Sequence, residues 1–283
     1  MKQHKERYGA ARLAKILGVS RSGYYAWEKR KPSKRDEKKQ SLIEAVNQIF
    51  REHYGRYGSP RIWEELKAAG WRISRKRVER IMRDQGLYAR KQRKFVNTTD
   101  SKHLFAFAGN ILNQNFKADY PGEKWVSDIT YLRADSGWLY LTAILDLWDR
   151  KVIGWSMGND LTAEQTCLAL EMAAMNRPPR KGLIFHSDRG IQYSSDEFTK
   201  KLKELCPSVR QSMSRKGNCW DNACAESFFK TLKVELNLSK RRLNKKQLKY
   251  LIFEYIEAYY NRRRRHSAIG YAIPVALLSE IAA

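Results

Sequence analysis

Acidic residues are scarce in this chain: 30 Asp and Glu stand against 55 Lys and Arg, a formal net charge of +25 over 283 residues. That excess goes well past what solubility needs. A polyanionic partner is its simplest cause, nucleic acid before a membrane surface. Cysteine is scarce too. Cys167, Cys206, Cys219 and Cys224 show no paired CxxC spacing and the five histidines are scattered, which argues against a structural zinc and fits a reducing cytoplasm. The chain has no apolar run of about 18 residues and no signal peptide, so no membrane partner is expected. What remains, 42% hydrophobic and 30% charged, describes a globular chain with one core of moderate size and one or two small modules.

The charge is uneven, 27 − 11 = +16 over residues 1–100 against 28 − 19 = +9 over the rest. The more basic part reads as helical. Ala11 to Leu17 has helical periodicity, stops at Gly18, and is followed by a Ser20 cap and a second short helix through Trp27, the outline of a helix-turn-helix over residues 1–30. An ordinary helical hairpin has the same outline. Residues 31–94 form a second such unit. Glu28 to Gln40 reads as a linker running into a helix from Leu42 to His53, and Ser59 with Pro60 starts another helix to Ala69. Ser74 caps a helix to Gln85, whose Val78, Ile81 and Met82 face inward while Arg75, Lys76, Arg77 and Arg80 face a nucleic acid backbone or its bases. Arg90 to Lys94 and Asn97 to Lys102 then lead through a basic linker over 95–120.

From Lys124 the periodicity changes to strands. Trp125–Leu132, Trp138–Trp148 and Lys151–Met157 read as three antiparallel strands, Leu183–His186 as a buried one, and Val209–Ser212 as a fifth. Helices over Thr162–Met175, Ser195–Leu205, Asp221–Leu236 and Asn244–Arg262 alternate with them, so residues 121–283 are expected to be an α/β layer with a mixed five-stranded sheet. Three islands in this part each put a carboxylate at the edge of an apolar element: Asp128 in W-V-S-D-I-T-Y, Asp188 in F-H-S-D-R-G-I-Q-Y, and Glu226 one turn into the helix after S-M-S-R-K-G-N-C-W-D-N-A-C-A. Clustered carboxylates repel, and a fold tolerates them mainly when a cation neutralises them. Oxygen-only ligation favours Mg²⁺ or Mn²⁺ over zinc.

These islands resemble, in order and spacing, the insertion-sequence transposases whose catalytic core is related to retroviral integrases, the DDE group built on a ribonuclease H-like fold. The resemblance extends upstream to L-G-V-S-R-S-G-Y-Y-A-W (Leu17 to Trp27) and Tyr57 to Leu87, and downstream to Tyr259-Tyr260-Asn261 and His266 to Tyr271. The interval between Asp188 and Glu226 is two residues longer than the family's usual one, and Cys206-Pro207-Ser208, between helix and strand, is where extra length costs least. The resemblance implies a metal-binding catalytic triad of Asp128, Asp188 and Glu226 with two ions. It also implies double-stranded DNA as partner at element ends and target, a first-reading-frame partner protein, and work as a dimer or larger in the bacterial cytoplasm beside the nucleoid. Rival readings are a nuclease of the same fold that only cuts, and a DNA-binding protein without chemistry.

Two metals about 3.5–4 Å apart supply both needs of phosphodiester chemistry, an activated oxygen nucleophile and stabilised charge on the leaving and equatorial oxygens. Around the triad, His186, Asn222 and Asp146 are auxiliary candidates, with a hydrogen-bonded structural role the alternative for His186. Asn222, Glu226, Lys230 and Lys233 share one helix face, so the two lysines are expected along the phosphate backbone, unless Glu226–Lys230 is only a local i,i+4 pair. Arg215, Lys216 and the run Arg262, Arg263, Arg264, Arg265 complete the expected phosphate contacts. Trp220 either stacks on a flipped base or fills a core. Tyr255, Tyr259 and Tyr260 either meet a partner protomer or cover their own sheet.

Overall fold

A computed structural model describes residues 1–90 and 107–282. The chain divides into two compact units, 1–88 and 89–283. The basic stretch Arg90 to Lys94 and the run Asn97 to Lys102 fall, apart from Arg90, outside the described residues.

The first unit is helical: α1 Lys5–Tyr8, α2 Ala10–Ile16, α3 Arg21–Lys29, α4 Lys34–Glu52, α5 Ser59–Ala68 and α6 Arg75–Asp84. Gly18 takes φ +64° in the turn between α2 and α3, and the Ser20 hydroxyl accepts the Gly23 N–H at 3.0 Å. The helix expected from Leu42 begins at Lys34 instead. Ser33 and Asp36 make a reciprocal capping box, so the charged stretch is the first turns of α4 rather than a linker. Gly58, not Ser59, is the cap of α5, whose Pro60 still sits in its first turn. Leu42, Val46, Tyr57, Ile62, Leu66, Val78 and Met82 form this unit's core. Ile16, Leu17, Val19 and Trp27 remain exposed on the α2–α3 pair.

The second unit holds strands β1 Lys124–Ala134, β2 Gly137–Asp146, β3 Val152–Gly158, β4 Ile184–Ser187 and β5 Arg210–Met213. They make one mixed sheet in the order β3-β2-β1-β4-β5, antiparallel across the first three and parallel from β1 to β5. Its helices are α7 Ala163–Asn176, α8 Ile191–Ser194, α9 Asp196–Leu205, α10 Ala223–Glu235, α11 Lys245–Phe253 and α12 Pro274–Ala282. This is the ribonuclease H-like α/β architecture. On one sheet face Trp125, Ile144, Ile153 and Phe185 pack with Ala169, Leu170 and Ala173 of α7 and Phe198 and Leu202 of α9. Gly154 is what lets α7 approach, since a Cβ there would lie 2.1 Å from the Ala169 carbonyl oxygen. Residues 107–120, expected as linker, are partly packed: Leu112 is buried, and the N–H groups of Ile111 and Leu112 donate to Ser212 Oγ.

The helix expected over Asn244–Arg262 changes pitch. α11 passes into a π-helical stretch, Glu254–Tyr260, which turns Tyr255, Tyr259 and Tyr260 all inward. Tyr260 meets Phe228 of α10 edge-on at 4.9 Å, so these rings cover their own domain rather than face a partner. Beyond them, Asn261 both donates to and accepts from the Val152 backbone at 2.9 and 3.0 Å, and Asn176 Nδ2 donates to the Ile153 carbonyl at 2.8 Å, at the start of edge strand β3.

Candidate active site

Strand register brings the two aspartates together. β1 and β4 run parallel with Trp125 beside Phe185 and Val126 beside His186, so Asp128 and Asp188 each lie two residues further on, on one face. Asp128 sits mid-strand where the ladder fixes its backbone, and its Oδ1 accepts the Ile129 N–H at 2.9 Å. Asp188 leaves β4 at its carboxyl end, and its Oδ1 accepts the Gly190 N–H at 2.9 Å. Both are half-buried. α10 packs across β1, and Asn222, just before it, donates from Nδ2 to the Ser127 carbonyl at 2.9 Å, tying the start of the helix to the residue preceding Asp128. One turn later comes Glu226, with an exposed side chain.

The three carboxyl groups sense one another. Burial, then Asp188 and Glu226, push the Asp128 carboxyl well above the usual range. Burial raises Asp188, and burial together with Asp188 raises Glu226. Lys233 is the cation that opposes this at Asp128, and its own ammonium is pulled down by burial. It was expected along the DNA backbone, yet it is half-buried against the acidic cluster. Among the described residues, no three His, Cys, Asp or Glu side chains close into a ligand shell as they stand. The donor set still suits a hard cation: oxygen ligands only, negative charge that Lys233 offsets only in part, and a buried Asn222 Oδ1 with no hydrogen-bond partner.

The other candidates separate. His186 is buried, with Nδ1 2.9 Å from Ser212 Oγ and Nε2 3.2 Å from Ser214 Oγ, and burial pulls its imidazole down to about 4. Both ring nitrogens are thus engaged, the arrangement expected of the hydrogen-bonded structural alternative. Asp146 is removed from the cluster by parity: it stands opposite Trp125, three residues from Asp128, and therefore on the other face of the sheet. There its Oδ2 takes Arg177 Nη1 at 2.6 Å and the Gly122 N–H at 2.7 Å, while Arg177 Nη2 reaches Asp149 Oδ2 at 2.7 Å.

Of the expected DNA contacts, Arg75, Lys76, Arg77 and Arg80 are exposed on one side of α6, opposite buried Val78, Ile81 and Met82. Lys216, Lys230, Arg262 and Arg263 are exposed as well. Arg265 is half-buried, its Nη1 donating to the Tyr271 carbonyl at 3.1 Å. Arg215 is exposed but forks onto Asp221 through Nε at 3.0 Å and Nη2 at 2.8 Å. Arg264 is a correction: it is 3% exposed and clamps Glu235, at the end of α10, at 2.8 Å, with the Tyr255 hydroxyl on the same carboxylate. It holds the tail to the helix of Glu226 and is withdrawn from any phosphate. Sequence reasoning did not single out Gln114, and it met Tyr193 only as the last residue of the Asp188 island, with no role. Gln114 donates to Asp221 at 2.9 Å, and the Tyr193 hydroxyl lies 2.7 Å from Ser127 Oγ; nothing local in the sequence signals either pairing.

Comparison with known proteins matches residues 118–219 and 207–274 to integrase core domain families and residues 37–95 to an HTH-like domain. Transposase InsF for insertion sequence IS3A of Escherichia coli (strain K12) is 42% identical, over 95% of this chain and 94% of that protein. The insertion element IS600 uncharacterized 31 kDa protein of Shigella sonnei is 39% identical, over 93% and 96%. Among solved structures, the HTLV-2 integrase catalytic core domain in complex with magnesium is 17% identical with a TM-score of 0.42, covering 56% of this chain and 97% of that one. With the identity to InsF sustained over nearly the full length of both chains, the protein belongs to the IS3-type insertion-sequence transposases.

Proposed function

We infer that the protein is the transposase of an insertion element, cutting DNA at the element's ends and joining the freed 3′-hydroxyl to a new strand at a site built from Asp128, Asp188 and Glu226. The observation that carries this reading is the placement of Asp128 and Asp188 on adjacent parallel strands, beside a helix that brings Glu226, in a chain of this family. Divalent ions, Mg²⁺ or Mn²⁺, held by these three carboxylates would polarise the phosphodiester and activate the attacking oxygen. The number of ions is proposed as two.

The chain's own residues supply position and charge balance. Backbone N–H groups orient one oxygen of each aspartate, which leaves the other free for a ligand. The Asn222 amide sets the start of α10 against β1, and the Arg264–Glu235 pair fixes its end, so Glu226 projects from a helix held at both ends. Lys233 offsets part of the negative charge at Asp128. When water attacks the phosphorus, one P–O bond forms, another breaks, and a 3′-hydroxyl leaves. When that hydroxyl attacks a second phosphodiester, the new P–O bond joins the strands as the bond to the target's own 3′-oxygen breaks and that 3′-hydroxyl leaves, and neither step requires a covalent link to protein.

The exposed basic face of α6 grips phosphates, and the exposed Lys216 and Lys230 do the same within the second unit. Two ends joined to one target require at least two sites, so the working form on DNA is a dimer or larger. A first-frame partner protein supplies further end recognition. Incubating the protein with labelled element ends and Mg²⁺ tests the reading: nicked and joined products are expected, and cutting without any joining would reduce the protein to a nuclease.

A further inference from the structure

The loop between β5 and α10 holds its backbone firmly and leaves its largest side chain outside. Asn218 Oδ1 accepts the Trp220 N–H at 3.1 Å. The next residue, Asp221, is fully buried and takes the Arg215 backbone N–H at 2.9 Å, the Nε and Nη2 groups of the Arg215 guanidinium and the Gln114 amide. Asn222 follows, bonded to the Ser127 carbonyl. Between these anchors the Trp220 side chain is 71% exposed, the most exposed tryptophan among the described residues. A core role for it is thereby excluded.

A single exposed apolar side chain is ordinary on a protein surface. This one differs in its mounting and its address. Its Cα lies within roughly 7 Å of that of Asn222, two residues away, and Asn222 touches the residue before Asp128. Lys216 is exposed on the same loop. A rigid backbone carrying an outward indole spends little conformational entropy when the ring is covered. Trp220 precedes Glu226 by only six residues, so on the transposase reading a DNA strand that reaches the carboxylates would pass this loop.

We propose that Trp220 is a DNA-stacking residue that receives the face of an unpaired nucleobase next to the phosphate under attack, holding the element end open at the active site. Inside a duplex both faces of every base are covered, so this platform takes a base that has left its pair, and base–aromatic stacking of this kind is indifferent to base identity. Trp220 thus stabilises the frayed form of the end rather than reading its sequence. The inference rests on the transposase reading above.

The experiment compares wild-type protein, Trp220→Ala and Trp220→Phe on two Mg²⁺-containing substrates, fully paired element ends and ends whose terminal bases are mismatched. Trp220→Ala should slow end cleavage about tenfold or more on paired ends, in line with the loss of one stacked base. On mismatched ends the loss should shrink to less than about threefold, and Trp220→Phe should fall between. An unpaired 2-aminopurine beside the cleavage position should be dimmer with wild-type protein than with Trp220→Ala, while one ten base pairs inward should not distinguish them. Equal loss on both substrates, no loss at all, or identical 2-aminopurine signals would overturn the proposal. Wild-type protein that cleaves neither substrate overturns the transposase reading instead, whereas wild type and Trp220→Ala cutting both alike overturns stacking alone.

Discussion

Two acidic clusters lie on opposite faces of the same sheet, and they are built to opposite rules. Asp146 and Asp149 are fully buried and share one guanidinium, Arg177, whose two branches reach them at 2.6 and 2.7 Å. Burial still pushes the Asp146 carboxyl up, but Arg177 pulls it back. Asp128, Asp188 and Glu226 are less buried and have no arginine bonded to them; Asp188 raises the proton affinity of the other two, and Glu226 that of Asp128. The first cluster is neutralised by the fold and closes the β2–β3 turn against the end of α7. The second holds more negative charge than nearby cations offset, the arrangement that the proposed metal-binding role calls for. Compensation from within marks architecture, and its absence marks a site.

Breaking the compensated cluster should have the largest effect. Arg177→Ala leaves two buried carboxylates unpaired and should cost about 3–5 kcal/mol of stability, read as a large fall in melting temperature, with activity lost only because the fold is. At the uncompensated cluster the order reverses. Asp128→Asn should reduce end cleavage and joining at least about a hundred-fold while DNA affinity stays nearly constant. Its folded-state pKa is raised, so the charged form is what the fold disfavours, and the neutral amide should melt no lower than wild type. An Asp128→Asn protein that melts far below wild type would place this aspartate in the architectural class.

A third expectation sits between the clusters. His186 has its folded pKa lowered from 6.5 to about 4, so the unfolded chain binds a proton that the folded one refuses. Stability is therefore full above about 6.5 and declines as pH falls toward about 4, by roughly 2 kcal/mol at pH 5. Chemical denaturation across that range should show the decline, and His186→Gln should remove this part of it. The smallest effects belong to the first unit. Arg75→Ala or Arg80→Ala should weaken DNA binding a few-fold at low salt and lower the slope of log affinity against log salt by about one each. Unchanged slopes in titrations of both variants would remove α6 from the DNA contacts.

The sheet and its carboxylates were legible because both depend on short-range signals. Alternating apolar residues mark the strands, and an Asp three residues past a wholly apolar run, as Asp188 is past Leu183–Phe185, announces the edge of a buried element. What escaped depends on partners far along the chain. Four consecutive arginines look like a phosphate contact until Glu235, 29 residues earlier, is found bonded to Arg264. Asp146 looked like a helper of Asp128 because they lie on neighbouring strands, and only the register, which sets Trp125 opposite Asp146, shows the two on different faces. The helix start at Lys34 was hidden differently: six charged residues mask a capping box that Ser33 and Asp36 state locally.

Asn261 has a consequence for how copies of this chain meet. By offering an amide to both the N–H and the carbonyl of Val152, it imitates one residue of an additional strand, and Asn176 occupies the neighbouring carbonyl. An open sheet edge is a template for aggregation, and a basic protein concentrated along DNA brings many such edges close together. Here the beginning of that edge is already spoken for by side chains of the same molecule. Copies of this chain brought together would meet that stretch of edge already covered, which works against their joining into one continuous sheet there.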